Sequence, residues 1–220
     1  DETWKLSELY KAVRNIQPAL LIANNHHQKP LPAEDIQNYE QDLPGENKAG
    51  FNPVQPDGEA LVETCMTINR SWGYNASDSH HKPASELVRI LAECAGRDAN
   101  LLLNVGPKPN GTIQSEHRER LLEIGQWLQI NGSAVYTTRG KVVEATPWGT
   151  ATRSGRRVYL HIWNPPQGEP LNVPAPIRIK SAYLLADSEP IRIERGANNI
   201  LVYLPEPLPD AKNTVVVLEG

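Results

Sequence analysis

The spacing of apolar residues in the first part of the chain predicts a helix followed by a buried strand. Apolar residues recur at helical spacing from about Trp4 to Ile16, and Pro18 then ends the predicted helix. The apolar run at residues 19–25 (ALLIANN) ends on polar residues, which indicates a short buried strand with a polar exit loop. Residues 36–43 (IQNYEQDL) are shorter and mixed in character, and they predict a weak strand.

A second strand–helix cycle begins at residue 61. The alternating run at residues 61–68 (LVETCMTI) predicts a strand, and a long polar loop follows it. We expect the next helix over residues 86–94, with Ser85 as its N-cap. One face of this helix would be formed by Leu87, Ile90, Leu91 and Cys94.

The third cycle places a strand, a turn and a helix in close order. Residues 101–105 predict the strand, a loop of Gly, Pro and Asn follows, and a helix opens at Ser115 and stops at Gly132. The predicted buried side of this helix comprises Leu121, Leu122, Ile124, Gly125 and Leu128. Strands that alternate with helices indicate parallel β/α units, whose chemistry collects on the loops after the carboxyl ends of the strands.

The pattern changes after about Arg139. Short β-rich runs are separated by Pro, Gly and Asn turns, and the helical period disappears. This pattern is typical of a small antiparallel β-sandwich. The sequence therefore predicts two domains, residues 1–139 and residues 140–220.

Composition excludes several classes of function. Apolar residues make up 39% of the 220 residues, which is enough for a packed core, and the net charge of −4 gives no electrostatic basis for binding nucleic acid or an anionic membrane. The chain contains no run of about 18 apolar residues that could span a bilayer. No cofactor is predicted, and Cys65 and Cys94 are expected to be buried thiols, since two cysteines cannot form a disulfide scaffold.

Two residues are candidates for catalysis or binding. Glu40 closes the run EDIQNYE, in which three carboxylates are available for general acid/base catalysis, although periodicity alone favours a solvated surface carboxylate. Trp72 lies in a polar loop, where its ring could pack against the apolar face of a sugar or could simply close the top of the fold.

Two histidine pairs raise the alternative of a metal site. The pairs are His26–His27 and His80–His81. Adjacent residues of a strand-like segment point to opposite sides, and no carboxylate or third ligand stands at a known spacing. We therefore predict no metal site.

Three segments together resemble one known family. ETCMTINRSWGYN, NLLLNVGPKPNGTI and RLLEIGQWLQINGSAVY look like the retaining α-L-fucosidases among the glycoside hydrolases, over roughly residues 4–139. The resemblance implies an α/β fold, with residues 1–139 as the C-terminal half of a distorted (β/α)8 barrel and residues 140–220 as a β-sandwich. It also implies removal of terminal α-linked L-fucose from glycans with retention at the anomeric carbon.

The resemblance assigns roles to individual residues. DIQNYEQDLPG is similar to the family pattern around the general acid/base, which makes Glu40 that residue. Trp72 matches the aromatic residue that lines the fucose pocket. The triplet ANN matches a family strand end, so Asn25 and His26 are expected to contact the substrate, with His26 where the family commonly has an arginine. A histidine there could donate a hydrogen bond to a hydroxyl, but not a bidentate one.

The sequence departs from the family at the nucleophile. The family aspartate stands in a Trp-Phe-Asp-Gly type motif that is absent here, so we expect it just upstream of Asp1, on a segment missing together with the first half of the barrel. The chain alone is then expected to be inactive and to associate with that missing half or with another copy of itself. The resemblance also implies a secreted, periplasmic or lysosomal location.

Two alternatives stay open at this point. The protein could be a non-catalytic carbohydrate-binding module, in which Trp148 and Trp163 would be the binding aromatics unless they pack in the core. It could also be a related glycosidase with a preference for another sugar, such as galactose.

Overall fold

The computed structural model describes most of the chain, in the ranges 4–56, 58, 60–144, 146–174 and 178–220. The chain falls into two units. The first unit comprises Asp1–Thr67 and Ala99–Asn104, and the second comprises Ile68–Asp98 and Val105–Gly220. The domain boundary expected at residues 139/140 divides the chain differently and stays a prediction.

A four-stranded parallel sheet forms the first unit together with helix α1 (Leu6–Ile16). Its strands, in the spatial order β1-β2-β3-β4, are β1 (Ala23–Asn24), β2 (Ile36–Glu40), β3 (Leu61–Thr67) and β4 (Ala99–Asn104). All three strand pairings are parallel, as the alternation of strands and helices predicts. The weak strand expected in residues 36–43 is therefore an inner strand of the sheet.

Strand β1 is shorter than the apolar run that predicts it. A turn in which Leu20 N–H donates to Gln17 O occupies the start of the run. The Asp35 carboxylate accepts a hydrogen bond from Ile22 N–H at 2.7 Å and from Arg14 at 2.6 Å. The N–H of Ile22 is therefore bonded to a side chain, although its carbonyl still accepts from Asp35 and Ile36, and the strand pairing with β2 covers Ala23–Asn24.

The second unit contains two long helices, α2 (Ala84–Gly96) and α3 (Ser115–Asn131). The prediction that Ser85 caps α2 was wrong, because the N-cap is Pro83, in extended conformation, whose carbonyl accepts hydrogen bonds from Glu86 and Leu87. Helix α3 ends where Gly132 was expected to stop it.

The buried face of α3 also differs from the expected one. Its buried residues are His117, Ile124, Trp127 and Asn131. Leu121 and Leu122 are exposed, so their predicted burial was wrong. The buried face of α3 includes the large side chains of Trp127 and His117. A prediction from apolar residues alone leaves out the histidine and therefore places the face wrongly.

The described residues of the second unit also contain seven short strands. They are β5 (Gly149–Ser154), β6 (Arg157–Ile162), β7 (Leu171–Pro174), β8 (Ser181–Leu184), β9 (Ile193–Arg195), β10 (Asn199–Val202) and β11 (Thr214–Glu219). They form two antiparallel sheets with the orders β5-β6-β11-β8 and β7-β10-β9. Apolar side chains of both sheets, such as Leu160 and Val202, belong to one buried cluster, which also contains Trp148.

Two expectations about single features can be compared with the structure. Both cysteines are buried, reduced thiols, as expected. Among the helices in the described ranges, none is sufficiently long and apolar to cross a membrane.

Candidate active site

The polar segment Asn24–His27 leaves the end of β1 and directs its side chains alternately towards two carboxylates. The first and third side chains of the segment bond to Glu34. The second and fourth face Glu40. The prediction that His26 and His27 point to opposite sides is confirmed, and the alternation follows from the extended start of the segment.

Glu34 is a buried carboxylate that several donors surround. Its side chain is 0% exposed, and it accepts hydrogen bonds from Tyr10 Oη at 2.7 Å, Leu31 N at 2.7 Å, Asn24 Nδ2 at 2.9 Å and His26 Nε2 at 2.9 Å. Burial alone raises the pKa of Glu34, but these hydrogen bonds outweigh burial and hold the pKa below its usual value. Glu34 is therefore an ionised centre around which the loop is arranged.

The imidazole of His26 forms hydrogen bonds within the loop through both of its ring nitrogens. Nδ1 accepts a hydrogen bond from Gln28 N–H at 3.2 Å, so the proton lies on Nε2, which donates to Glu34. Both ring nitrogens of His26 are thus engaged within the loop. Its contact with a sugar stays a prediction.

Glu40 is the last residue of β2, at the carboxyl end of the parallel sheet. Its side chain is 20% exposed, Asn25 Nδ2 donates to Oε2 at 3.1 Å, and His27 Nε2 lies 3.7 Å from the same oxygen. The Asn52 side chain fixes its backbone, since Oδ1 accepts from Glu40 N at 3.0 Å and Nδ2 donates to Glu40 O at 2.8 Å. The carboxylate is therefore held at a strand end and is largely shielded from water.

The chain turns directly after Glu40. Gln41 adopts a left-handed backbone with φ of 58° and donates its N–H to Cys65 O at 2.8 Å. Cys65 is the register partner of Glu40 on β3. Burial, and then the charge of Glu40, raises the pKa of the Cys65 thiol to about 11, so this thiol stays protonated beside the carboxylate.

The loop at residues 69–83 belongs to the second unit and carries Trp72, whose side chain is 40% exposed. Asp78 organises this loop, because its carboxylate accepts hydrogen bonds from Arg70 N and Ser71 Oγ at 2.9 Å and from His80 N at 3.1 Å. The pKa of Asp78 is lowered, since these donors outweigh the effect of burial.

Close packing requires a glycine at position 106, in the loop that follows β4. A Cβ atom at this position would lie 2.6 Å from the carbonyl carbon of Gly73 and from the nitrogen of Tyr74. The absence of a side chain therefore lets this loop pack directly on the backbone beside Trp72.

Sequence reasoning missed three residues of this arrangement. His27 was considered only for a metal, Glu34 only as one carboxylate among three, and Asn52 not at all. The alternation along Asn24–His27 is the signal that could have indicated His27. No local pattern indicates Asn52, which reaches Glu40 across a loop. Within the described ranges, no three His, Cys, Asp or Glu side chains come together as they do in a metal site.

Comparison with known proteins adds an independent finding. A family model described as alpha-L-fucosidase matches residues 1–133. The human plasma alpha-L-fucosidase is 36% identical over 156 residues, which are 66% of this chain and 33% of that protein. The chain thus spans about a third of the length of the curated relatives that it matches.

Solved structures agree with the sequence relatives. Alpha-L-fucosidase isoenzyme 1 from Paenibacillus thiaminolyticus matches with a TM-score of 0.83 and 34% identity, over 100% of this chain and 54% of that chain. An alpha-L-fucosidase from Bacteroides thetaiotaomicron matches with a TM-score of 0.79 and 25% identity, over 98% of this chain and 52% of that chain. That structure is described as a covalent intermediate trapped with 2-fluoro-fucosyl fluoride in a glutamate-to-glutamine mutant. Because the family model matches more than half of the chain, the chain belongs to the alpha-L-fucosidase family.

Proposed function

We propose that the chain is the part of a retaining α-L-fucosidase that supplies the general acid/base, Glu40. The observation that carries this proposal is the position of Glu40 at the carboxyl end of a parallel strand, largely shielded and held by Asn25. Catalytic residues of β/α barrels come from such strand ends. The Bacteroides relative supports a covalent mechanism in which a glutamate is needed, since its intermediate was trapped in a glutamate-to-glutamine mutant.

The proposed reaction cleaves a terminal α-L-fucosyl linkage of a glycan in two steps. Glu40 first gives its proton to the glycosidic oxygen while the bond from that oxygen to the anomeric carbon breaks and a second carboxylate bonds to this carbon. The ionised Glu40 then takes a proton from water, and the resulting hydroxide replaces the second carboxylate on the anomeric carbon. Retention requires the two carboxyl groups to be about 5–5.5 Å apart.

The second carboxylate is proposed to be an aspartate just upstream of Asp1. Asp1 itself lies outside the described residues. Glu34 is a poor candidate for the nucleophile, because it faces the other side of the Asn24–His27 segment and its oxygens are occupied by four donors. The isolated chain is accordingly expected to hydrolyse no fucoside.

The substrate contacts proposed from the family resemblance are Asn25, His26 and Trp72. The exposed ring of Trp72 suits an apolar sugar face. Asn25 lies beside Glu40, where a sugar hydroxyl would compete for its amide. His26 would need to exchange its bond to Glu34 for one to the sugar, which makes it the weakest of the three.

We propose that β1 to β4 are half of a (β/α)8 barrel within residues 1–139, and that the two antiparallel sheets form a β-sandwich within residues 140–220. Parallel pairing throughout the first sheet supports the barrel. In the described ranges β4 pairs only with β3, and Leu102 on β4 is exposed. The proposed partner of such an edge is the other half of the barrel or a second copy of the chain. Light scattering on the chain alone should then report a species larger than a monomer.

The proposed partner molecules are fucosylated glycans, with no role for nucleic acid or a membrane. A secreted, periplasmic or lysosomal location is proposed as well, and the plasma enzymes among the relatives support an exported protein. The core position of Trp148 gives no support to a binding-only module that would use this residue.

Substitution of Glu40 in the full-length coding product, including the residues upstream of Asp1, tests the proposal. Glu40→Gln should lower turnover of a fucosylated oligosaccharide by about 10²–10⁴-fold, because no proton reaches the leaving oxygen. Fucose affinity should change little. Glu119→Gln, the same change at an exposed position on α3, is the control.

Added azide and a parallel galactoside assay sharpen the result. Azide needs no general base, so it should restore turnover of an activated aryl fucoside by Glu40→Gln, with fucosyl azide as the product. A wild-type protein that binds fucose without turnover would instead be a binding module. Faster turnover of the galactoside would indicate the other sugar preference. Retained oligosaccharide turnover in Glu40→Gln would remove Glu40 from its role.

A further inference from the structure

His27 faces the same carboxylate oxygen as Asn25, and neither the family resemblance nor the comparisons assign a role to it. Its Nε2 lies 3.7 Å from Glu40 Oε2, and its side chain is 27% exposed. A small rotation of the ring would convert the contact into a hydrogen bond.

The environment of the other ring nitrogen, Nδ1, determines which nitrogen of His27 carries the proton. Nδ1 of His27 is buried and has no hydrogen-bond partner among the described residues. A buried N–H without an acceptor is unfavourable, so the neutral ring carries its proton on Nε2, towards Glu40.

The backbone around the pair is held in an unusual conformation. His27 has φ of 58°, in the left-handed region that non-glycine residues rarely occupy. Such a conformation persists where the surroundings fix it, and here Glu34 fixes the segment through the two side chains that alternate with Asn25 and His27.

We propose that His27 is a positioning residue for Glu40, and that Glu34 holds the segment so that His27 faces the carboxylate. The proposal rests on the proposed role of Glu40 as acid/base. With its Nε2 directed towards Oε2, His27 limits the orientations of the Glu40 carboxylate, so that the carboxylate stays directed towards the groups with which it exchanges a proton.

Among the described residues, few other charged or aromatic groups lie near His27. The Phe51 ring lies 6.0 Å away, centroid to centroid, and carries no charge. Glu34 and His26 lie on the opposite side of the segment and are bound to each other. Cys65 is paired in register with Glu40 and stays protonated. Glu40 is therefore the charged group with which the His27 ring is paired in the structure.

The test uses two substitutions of His27 in the full-length protein, assayed on a fucosylated oligosaccharide. His27→Asn tolerates the left-handed backbone but is too short to reach Glu40. It should lower kcat about 10-fold with KM little changed, because the Glu40 carboxylate can then turn away from the reacting oxygen. His27→Gln restores a donor near the Nε2 position, so it should recover most of kcat.

The control is Gln126→Asn, at an exposed position on α3. It should leave kcat and KM unchanged. A kcat equal to wild type in His27→Asn would overturn the proposal. If His27→Asn does not fold, His27→Gly decides, because glycine accepts the left-handed backbone and has no side chain to face Glu40, so its kcat must fall as well.

Failure of this inference is distinguishable from failure of the proposed function. Retained oligosaccharide turnover in Glu40→Gln would show that Glu40 is not the acid/base. A wild-type kcat in His27→Asn, together with loss of turnover in Glu40→Gln, would remove only the role of His27.

Discussion

The loop after β1 and the loop after β3 are each organised by one carboxylate, but they recruit the donors from different distances along the chain. Glu34 receives hydrogen bonds from Tyr10, 24 residues away, and from Asn24, 10 residues away. Asp78 receives one from the backbone of Arg70, eight residues away, within its own loop. The carboxylate of the first loop therefore depends on long-range donors, whereas the carboxylate of the second receives its donors from its own loop.

This difference has a consequence for the candidate chemistry. The side chains that face Glu40 are positioned by an anchor that itself needs helix α1 in place. The loop that carries Trp72 does not contact this anchor in any recorded hydrogen bond of the described residues; Gly106, Gln114 and Arg120 contact the loop instead. Substitutions that disturb α1 should therefore affect the surroundings of Glu40 more than the loop that carries Trp72.

The largest effect is expected from removal of the anchor itself. Glu34→Ala leaves buried donors without an acceptor, so it should lower the free energy of unfolding by about 3 kcal/mol, measured by urea denaturation. Glu8→Ala on α1, where the glutamate side chain is 75% exposed, should change stability by less than about 0.5 kcal/mol. Equal losses in the two variants would mean that the donors of Glu34 find other partners.

The difference between local and long-range contacts also explains which elements the sequence could predict. Periodicity located α1, β2, β3 and the antiparallel strands, because their apolar residues recur at the helical or strand period, although no residue of α1 is buried. It missed the N-cap of α2, where Pro83 competes locally with Ser85, and it misjudged the buried face of α3, which includes a histidine. The burial of His117 involves neighbours that are distant in sequence, such as His81, so a local rule cannot predict it.

The residues of the candidate site also separate into those that the sequence indicated and those that it did not. Glu40, Asn25, His26 and Trp72 became candidates through the family resemblance, since composition and spacing left each of them with an ordinary alternative. The different partners of His26 and His27 agree with the alternation expected of a strand, although β1 ends at Asn24 and His27 has a left-handed backbone. The bond of Glu34 to Tyr10 could not be foreseen, because it requires knowing where α1 lies against the loop.

A second prediction concerns the loop that carries Trp72. Gly106→Ala places a methyl group 2.6 Å from backbone atoms of residues 73 and 74, so the loop must shift. We expect the free energy of unfolding to fall by about 2 kcal/mol, and KM for a fucoside in the full-length protein to rise. Gly73→Ala is the matched control, since its Cβ would meet no atom within 4 Å. An unchanged stability in Gly106→Ala would show that the close packing is dispensable.

A smaller effect should follow from removal of one donor to the anchor. Tyr10→Phe deletes the 2.7 Å hydrogen bond to Glu34 and keeps the ring, so the free energy of unfolding should fall by about 1 kcal/mol. Tyr136→Phe, at an exposed tyrosine of the second unit, should have no measurable effect. If Tyr10→Phe matches its control, the long-range donor contributes nothing and the two loops are more alike than the contacts suggest.

The smallest expected effect is a change in acid sensitivity that both loops share. Burial raises the pKa of Glu34 and of Asp78, yet hydrogen bonds outweigh it and leave each pKa below its usual value. The unfolded chain therefore binds more protons than the folded one, so this stability is present above the ordinary carboxyl pKa of about 4 and is lost as pH falls through the folded value.

Replacement of either carboxylate by its amide should flatten that dependence. In urea titrations between about pH 6 and about pH 3, the stability of Glu34→Gln should fall less steeply than that of wild type, because the amide cannot take up a proton. Asp78→Asn should act in the same direction through its own loop. Curves parallel to wild type in both variants would mean that neither carboxylate is ionised preferentially in the fold, and the two loops would then be held by the shape of the backbone rather than by charge.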